Sequence, residues 1–426
     1  MRSFIAIISL SMLIFGLGCT PGIDQKIENE YPASVSLTAK NETNLSRTDE
    51  ALALDVEKLN TKAPGFNPNA FVIFCNGAEL ASQANDQNSD GDPDQIVAIM
   101  DFKPGETKKL SLRYATSGVK PREYPKRTQA ELSIKVGGKF VDRKYEGGMF
   151  QNVQYLRVPP EHTDHSFYIR YEGPGWESDK VGYRFYLDWR NATDIFGKKA
   201  PDMALQNVGQ DGFDSYHEMS DWGADIFKVG ESLGIGSIAT WYENKANRVE
   251  KTDSITSAII ANGSVYSQIR TIYYGWQSDS SNVNLTSDLS ITAGSRLTRN
   301  DLLIAGELDN ICTGLAKHEN TVFFEKQPEA PKDWGYIALW GKQSLAGDDD
   351  ELGIAVLYHG SQFVQLTEDE LNHVVILKPE NNKVSYYFLA AWDQEPDGIK
   401  TRDAFVDYLS ATVQQLNHPI LVNFTD

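Results

Sequence analysis

Short runs in which apolar residues alternate with polar ones recur along most of the chain. Examples in the first third are ASVSLTAKN, QIVAIMDF, KKLSLRYA and AELSIKV. An alternation with a period of two places the apolar side chains on one face of a β-strand. Turn residues bound most of these runs, and Pro104 and Gly105 lie at the centre of one such turn. The pattern predicts antiparallel strands joined by tight turns.

Beyond Ala130 the runs are longer and richer in aromatic residues, as in HSFYIRYEG, GYRFYLDWR, SQIRTIYYGWQ and VSYYFLAAWD. A helical period is convincing mainly between Thr401 and His418, with Thr401 and Asp403 as candidate caps. The apolar face of that helix comprises Phe405, Tyr408, Leu409, Val413 and Leu416. The stretch DEALALDVEKL fits either a strand or a short helix. Many long strands and one late helix predict a β-sandwich architecture, not a doubly wound sheet.

The chain divides into two predicted units. Residues 27–116 form a small N-terminal β-sandwich unit, and residues 130–426 form a larger β domain. Between them, residues 117–129 contain two prolines and four basic residues, which is typical of a linker or an exposed loop. We therefore expect an all-β protein with a single helix near its C-terminus.

Composition and charge narrow the classes of partner. The chain has 426 residues, of which 41% are hydrophobic, so it can bury a large core. Its formal net charge of −19 disfavours nucleic acid and anionic membrane surfaces as general partners. A local basic pocket could still bind an anionic ligand. Cys75 and Cys312 lie far apart, and we expect two buried thiols, not a disulfide.

The first 19 residues have the features of a secretory signal. Arg2 precedes an apolar run from Phe4 to Leu17, which is too short for a spanning helix. The ending GLGC resembles a bacterial lipobox, with Gly16 where Leu is usual, and predicts lipidation of Cys19. An ordinary signal peptide with a chance cysteine is the alternative. The following TPGIDQ is a weak surface-export tag, so we expect a lipid anchor that faces the periplasm and no other membrane contact.

The stretch DQNSDGDPD has the spacing of a calcium loop. Oxygen-bearing side chains stand at alternate positions with a glycine at the sixth, as hard cations prefer. The bidentate glutamate of an EF-hand is missing, because Val97 stands at the twelfth position. A ligand-poor structural calcium site and a self-bonded polar turn both fit. The candidate calcium ligands are Asp86, Asn88, Asp90, Asp92 and Asp94.

A second stretch, SYHEMSDWGADIFK, concentrates residues suited to catalysis without a regular period. Here His217 is a candidate general base and Tyr216 a candidate acid or base if a cation lowers its pKa. Glu218 could orient His217 or act itself, and Trp222 could stack on a sugar face. A hydrogen-bonded structural histidine is the alternative. The remaining candidate binding residues of this stretch are Asp225 and Lys228.

A third stretch, GPGWESDKVGYRFYLDWRNA, places Arg184, Asp188 and Arg190 at even spacing. On one strand these side chains would share a face and form a floor that recognises carboxylates. Tyr183, Phe185 and Leu187 would take the opposite face and enter the core. A salt-bridge ladder on an exposed strand is the alternative. Candidate aromatic contacts to a ligand are Trp176, Trp189 and, in AAWDQ, Trp392. The pair His162 and His165, with Asp164 between them, is a poor metal signature.

GPGWESDKVGYRFYLDWRNATDIFGKK, YHEMSDWGADIFKVGESLGIGSIATW and YYFLAAWDQ resemble a bacterial family catalogued as domain of unknown function 4861. The likeness extends over nearly the whole mature chain. It implies a galactose-mutarotase-like β-supersandwich for the large domain. It also implies a role in Bacteroidetes polysaccharide-utilisation systems, beside enzymes that degrade uronic-acid glycans. Because that fold hosts epimerases, polysaccharide lyases and glycosidases, the resemblance implies a substrate class, not a reaction.

Three classes of function remain open from the sequence. The first is an enzyme acting on uronate-containing oligosaccharides, with Arg184, His217 and Tyr216 serving β-elimination. Hydrolysis would instead use Glu218 with Asp225 or Asp188 as the carboxylate pair. An epimerase or mutarotase is a further alternative within this class. The second class is a non-catalytic glycan-binding lipoprotein, and a structural protein of the envelope is a third. We expect no cofactor other than calcium.

Overall fold

The computed structural model describes residues 23–213, 215–278, 281–347 and 349–425. The predicted signal segment and Cys19 lie outside the described residues. None of the helices in the described residues is long and apolar enough to cross a membrane.

The small unit begins the described chain and alternates short strands with two short helices. Its elements are α1 (Gln25–Glu30), β1 (Ala33–Lys40), β2 (Arg47–Asp55), α2 (Val56–Lys62), β3 (Phe71–Cys75), β4 (Ala78–Leu80), β5 (Ser82–Asn85), β6 (Gln95–Phe102) and β7 (Thr107–Tyr114). The ambiguous stretch DEALALDVEKL contains both predicted alternatives, because β2 ends at Asp55 and α2 begins at the next residue. The Asp55 side chain caps α2 by accepting the N–H of Lys58 at 2.9 Å.

The large unit follows residues 115–127, which carry no regular secondary structure. Its elements are β8 (Thr128–Glu131), β9 (Ser133–Val141), β10 (Lys144–Asn152), β11 (Tyr155–Arg157), β12 (Gly175–Ser178), β13 (Gly182–Phe185), β14 (Thr193–Lys198), β15 (Gly223–Asp225), β16 (Ala239–Tyr242), β17 (Lys245–Arg248), β18 (Ser254–Asn262), β19 (Tyr266–Ser278), β20 (Ser281–Thr292), β21 (Leu297–Ala305), β22 (Ile311–Ala316), β23 (Thr321–Lys326), β24 (Trp334–Gly341), β25 (Leu352–His359), β26 (Phe363–Glu368), β27 (Asn372–Leu377), β28 (Lys383–Trp392) and α3 (Arg402–Asn417). The last strand, β29 (Leu421–Thr425), follows α3 in the chain but pairs within the small unit.

One nine-stranded sheet organises the large unit, in the order β11-β18-β19-β20-β21-β28-β25-β24-β23. Two five-stranded sheets, β15-β14-β13-β12-β8 and β17-β16-β22-β27-β26, pack with it around the main hydrophobic core. Polar bonds cross that core, as where the Tyr183 hydroxyl donates to the Arg296 carbonyl at 2.8 Å. All named sheet pairings are antiparallel, and the predicted all-β sandwich class is confirmed.

Helix α3 covers the other face of the nine-stranded sheet. Thr401 caps it by accepting the N–H of Ala404 at 3.2 Å, as the sequence predicted. Phe405, Leu409 and Val413 are buried against Trp340 and neighbouring residues of β24, β25 and β28. The periodic apolar face therefore packs on the sheet as expected.

The small unit contains two sheets, β29-β1-β7-β3-β4 and β2-β6-β5. The predicted large domain extended to residue 426 and so included β29. In the structure β29 instead pairs with β1 of the small unit. Its Val422 and Phe424 side chains pack against the small unit's core. Sequence order could not indicate this return, since the partner strands lie at opposite ends of the chain.

Further contacts fasten the two units. In the predicted linker, Arg127 forms ion pairs with Asp49 of the small unit at 2.7 Å and with Asp179 of the large unit at 2.6 Å. Cys75 and Cys312 are buried and free, which confirms the prediction of two thiols.

We expect that Phe424→Ser lowers the stability of the small unit by about 1 kcal/mol or more, because it removes a partly buried aromatic side chain. Leu421→Ser is the matched control, since Leu421 is 45% exposed on the same strand. Urea unfolding followed by circular dichroism measures both. Equal midpoints for the two variants would contradict the packing of β29.

Candidate functional site

The candidate site lies on the outer face of the sheet β15-β14-β13-β12-β8. Alternation places Tyr183 and Ile195 in the main core, so Arg184 and Asp194 face outward. Arg184 and Asp194 are direct partners in the register of β13 and β14. Asp225 comes from the adjacent strand β15. Three neighbouring strands thus bring one arginine and two carboxylates together.

Arg184 lies at the centre of a buried network. Its Nη2 donates to Oδ2 of Asp194 at 2.7 Å and to Oδ2 of Asp225 at 2.5 Å. The Tyr186 hydroxyl accepts a further bond from Nη2 at 3.0 Å, and the Tyr216 hydroxyl accepts one from Nη1 at 3.1 Å. The Arg184 side chain is only 3% exposed. Its donors are occupied, so it cannot be the guanidinium that recognises a ligand carboxylate, contrary to the prediction.

Two carboxylates around one guanidinium leave an excess of negative charge. Burial, together with the nearby Asp225 charge, raises the pKa of Asp194 to about 6 against the opposing effect of Arg184. Burial also raises the pKa of Tyr216, although Arg184 opposes this effect. The cation therefore does not make Tyr216 a ready proton donor or acceptor, as the sequence had led us to consider. Tyr216 instead orients Arg184.

His217 lies where this network reaches the surface. Its Nε2 lies 3.3 Å from Oδ2 of Asp225, and its Nδ1 lies 2.9 Å from the Phe213 carbonyl oxygen. Both ring nitrogens thus face acceptors, which only the doubly protonated imidazolium satisfies. The hydrogen bond that His217 donates to Asp225 accordingly raises the pKa of His217, against a smaller opposing effect of burial. The side chain is 36% exposed, so its charge is accessible from solvent.

A second histidine, His165, also contacts the ring of Phe213. The ring centroids are 4.3 Å apart for His165 and Phe213 and 4.8 Å apart for Phe213 and His217. Nδ1 of His165 lies 2.7 Å from Oδ1 of Asp164, and the His165 side chain is 48% exposed. Within the described residues, Nε2 of His165 has no hydrogen-bond partner. The site therefore combines a fully bonded imidazole with an open one.

The segment that carries His165 is held by buried charges. Glu172 accepts the His165 backbone N–H at 3.0 Å and lies 3.0 Å from Nη2 of Arg190. Burial acts to raise the pKa of Glu172, but Arg184 and Arg190 outweigh it and lower that pKa to about 2. His165 and Glu172 both have positive φ, at 56° and 71°. Such strain in residues other than glycine is common where geometry serves function.

Asp164, His165 and Glu172 form the group of the described residues that could hold a metal ion, because their ligand atoms lie within 4.8 Å of one another. Nη2 of Arg190, however, lies 3.0 Å from Oδ1 of Asp164 and 3.0 Å from Oε1 of Glu172. The guanidinium thus already has the position of a counter-cation between these carboxylates.

Sequence reasoning misjudged the third stretch because β13 ends at Phe185. Asp188 and Arg190 lie in the following turn, where Asp188 accepts the Arg190 N–H at 2.9 Å and its guanidinium at 3.0 Å. They form a local ion pair, not a strand-face floor shared with Arg184. Tyr183, Phe185 and Leu187 are all buried in the core as predicted.

The predicted aromatic contacts divide by burial. Trp176 and Trp392 are each 1% exposed and bonded in the interior, Trp176 to Thr298 at 2.8 Å and Trp392 to Asp350 at 3.2 Å. Neither indole presents a face to a ligand. Trp189 is 38% exposed. Trp222 is partly buried against Phe196, with ring centroids 5.8 Å apart.

Two charged candidates lie outside the network. Glu218 is exposed, and its carboxylate has no hydrogen-bond or ion-pair partner in the described part of the chain. Lys228 is exposed and lies beside His318. Residues that the sequence did not place in the site are Asp164, His165, Glu172, Tyr186 and Asp194. A charged residue inside the apolar run TDIFG is the one signal that could have identified Asp194.

The DQNSDGDPD loop joins β5 and β6, where its acidic side chains accept backbone N–H groups. Asp86 accepts Gly91 N–H at 2.8 Å, and Asp94 accepts the N–H groups of Gln87 and Asn88 at 3.2 and 3.1 Å. Asn88 and Asp90 make similar turn bonds. The loop is thus a formed polar turn even without an ion. Calcium binding there stays a prediction.

The fold and site are those of a β-sandwich protein with a surface histidine pair. The chain belongs to the family described as "Domain of unknown function (DUF4861)", whose model matches residues 39–422, and the suspected resemblance is thereby confirmed.

A comparison with curated protein sequences finds no match. Similar solved structures include an alpha-mannosidase from Enterococcus faecalis V583, with 10% identity and a TM-score of 0.44, covering 95% of this chain and 47% of that chain. Another is a protein in the glycosyl hydrolase family 38 from Enterococcus faecalis, with 9% identity and a TM-score of 0.43, covering 96% of this chain and 49% of that chain. The chain spans about half the length of these proteins.

We expect Asp225→Asn to lower the pKa of His217, because the substitution removes the carboxylate that stabilises the imidazolium. A pH titration of the His217 ring protons by NMR measures this change. Asp221→Asn, at an exposed acid in the same segment, should leave the titration unchanged. The pairing stabilises the fold fully below the unfolded-state pKa and loses its effect as pH rises through the raised folded-state pKa. An unaltered titration of His217 in Asp225→Asn would contradict the predicted pairing of His217 with Asp225.

If the DQNSDGDPD loop binds calcium, added Ca²⁺ should raise the melting temperature, because a ligand of the native state stabilises it. Asp92→Asn should abolish the rise, since Asp92 is exposed and its carboxylate accepts no described bond. Asp142→Asn, an exposed acid in the β9–β10 turn, is the charge-matched control. Differential scanning calorimetry with Ca²⁺ or a chelator measures the shift. An equal rise in Asp92→Asn would place calcium elsewhere.

Proposed function

We propose that the protein is a carbohydrate-active enzyme that removes a proton next to a carboxylate in uronate-containing oligosaccharides. The observation that carries the proposal is the pair of imidazoles that both contact the ring of Phe213. One of them faces an acceptor with each nitrogen, which favours its cationic form, and the other keeps an open nitrogen. Removal of a proton beside a carboxylate needs a base and a positive charge, and this pair supplies both.

His165 has the role of base. Its exposed Nε2 can accept a proton, while Asp164 lies beside Nδ1 and stabilises the imidazolium that results. Glu172 fixes the backbone of His165 through its bond to the N–H. This assignment replaces the expected role of His217 as the base, because neither nitrogen of His217 is open to a substrate.

His217 has the role of cation. Both of its N–H groups are bonded within the protein, so its exposed imidazolium would act on the carboxylate of a uronate through its charge alone. That charge acidifies the C5 proton of the sugar. His165 takes that proton, and the electron pair forms a C4–C5 double bond as the C4–O bond breaks. The departing oxygen takes a proton from solvent. Delivery of a proton from solvent to the opposite face of C5, with the C4–O bond left intact, would instead give an epimerase.

Hydrolysis by two carboxylates has less support. Asp225 is bound by Arg184 and Asp188 by Arg190, so both are neutralised by guanidinium groups. Glu218 is exposed, but its predicted partners for hydrolysis, Asp225 and Asp188, are not available as unpaired carboxylates. A general acid and a second carboxylate at a defined separation are therefore missing from the predicted candidates.

A non-catalytic glycan-binding protein is the second candidate, favoured by the exposed Trp189 indole. An aromatic face suits the apolar side of a pyranose whether or not a reaction follows. In either case the proposed setting is the one that the family resemblance implies: polysaccharide use at the bacterial envelope, with Cys19 as a lipid anchor facing the periplasm.

We expect His165→Ala to lower turnover of uronate oligosaccharides roughly 10²- to 10⁴-fold, as for loss of a general base. The growing ultraviolet absorbance of the C4–C5 double bond measures elimination, and the NMR spectrum of the product detects epimerisation. Both saturated and lyase-generated unsaturated oligosaccharides should be tested. Asp221→Asn is the control, because it changes an exposed acid that does not contact either imidazole.

The same experiment distinguishes the roles of the two histidines. Because His217 acts as a cation, turnover should fall as pH rises through its raised pKa. His217→Lys should retain part of the activity and move that alkaline decline to higher pH. If the protein binds the uronate oligosaccharides but leaves them chemically unchanged, the proposed enzymatic activity is refuted and the glycan-binding alternative remains.

A further inference from the structure

A cavity of about 570 Å³ lies next to the β16–β17 turn. Its volume is within the range of small-ligand sites. Side chains from this turn, from the end of β19 and from the start of β27 line it. They include the cations Lys245, Arg248 and Lys251 and the acids Glu231, Glu250, Asp369 and Glu370. It is separate from the histidine pair, whose residues do not line it.

Arg248 is the unusual residue of this cavity. Among the residues that the structure describes, it forms no ion pair, and its one described hydrogen bond is a long one of 3.4 Å from Nη1 to the Ser232 carbonyl oxygen. Its guanidinium lies 5.3 Å from the ring centroid of Trp189. A planar guanidinium on an indole keeps its N–H fork free for a ligand.

The surroundings of Arg248 leave its charge incompletely compensated. The side chain is partly buried, and that burial lowers its pKa despite the opposing effects of Glu250 and Glu231. Both glutamates are exposed, and neither forms an ion pair with Arg248. A cation that has lost water without gaining a partner raises the energy of the free protein. A bound anion would pair with the guanidinium and offset that cost in free energy.

Arg248 lies near the edge of the histidine site. Asp188 and Arg190 both act electrostatically on it. Arg190 in turn lies 3.0 Å from Asp164 and from Glu172, which hold His165. An extended oligosaccharide bound at His165 could therefore continue past Trp189 into the cavity.

We propose that Arg248, Trp189 and the adjoining cavity form a second subsite, which binds an anionic sugar residue through its carboxylate or sulfate group. Arg248 binds the anion with its N–H fork, and the exposed part of Trp189 contacts the sugar ring. The inference rests on the proposed function for the sugar nature of the ligand. It extends that function by requiring a substrate with charged residues at more than one position.

The test uses the indole N–H signal of Trp189 in ¹H–¹⁵N NMR spectra, assigned with Trp189→Phe. We expect D-glucuronate to shift this signal, and glucose at the same concentration to leave it in place. Glucose 6-sulfate is tested in the same way. If D-glucuronate binds more tightly, the subsite recognises a carboxylate, and if glucose 6-sulfate binds more tightly, it recognises a sulfate. Arg248→Gln should weaken binding roughly 10- to 100-fold, the usual effect of losing hydrogen bonds to a charged group.

Arg143→Gln is the matched control, because Arg143 is exposed in the β9–β10 turn and forms no described ion pair. Unshifted indole signals of the buried Trp176 and Trp392 show that Arg248→Gln is folded. Equal binding of glucose, or wild-type affinity in Arg248→Gln, would overturn the subsite. If neither the wild type nor any variant turns over uronate oligosaccharides, while binding persists in His165→Ala, the proposed chemistry is refuted and the subsite stands.

Discussion

The buried guanidinium of Arg184 is the interaction on which the site depends. It neutralises Asp194 and Asp225, which come from the two strands that follow β13 in the same sheet. A buried charge left without its partner costs about 3–5 kcal/mol, so none of the three can be removed lightly. One positive charge against two negative ones is incomplete compensation. The remaining negative charge lies next to His217, and the hydrogen bond that His217 donates to Asp225 raises the pKa of its imidazole.

This charge balance divides the work between the two histidines. His217 is bonded at both nitrogens, so its useful property is its charge and not its basicity. His165 has the opposite character, because only Nδ1 faces an acid and Nε2 remains open. Phe213 contacts both rings, with centroids 4.3 Å from that of His165 and 4.8 Å from that of His217. Similar residues thus acquire different roles from their surroundings alone.

The fold could be predicted further than the site, and for a physical reason. Alternation placed Tyr183, Phe185 and Leu187 in the core and Arg184 outside it, because strand geometry is local. The partners of Arg184 depend on strand register, and Asp225 reaches it only because β15 follows β14 in the sheet. Burial of Trp176 likewise depends on Thr298 of an opposing sheet. Sequence spacing cannot reveal these long-range contacts, so exposed and buried tryptophans looked alike.

Strain in the segment around His165 indicates why Arg190 matters to the proposed base. Positive φ at His165 and Glu172 is unfavourable by roughly 1–3 kcal/mol each, so the conformation needs outside support. Arg190 provides it by holding Asp164 and Glu172 together. A metal ion at the same place would also hold the two carboxylates, but it would bind the imidazole and consume a nitrogen lone pair. A guanidinium cannot do that, because it only donates hydrogen bonds. Positioning by Arg190 therefore leaves the lone pair on Nε2 of His165 unoccupied, which the proposed proton abstraction requires.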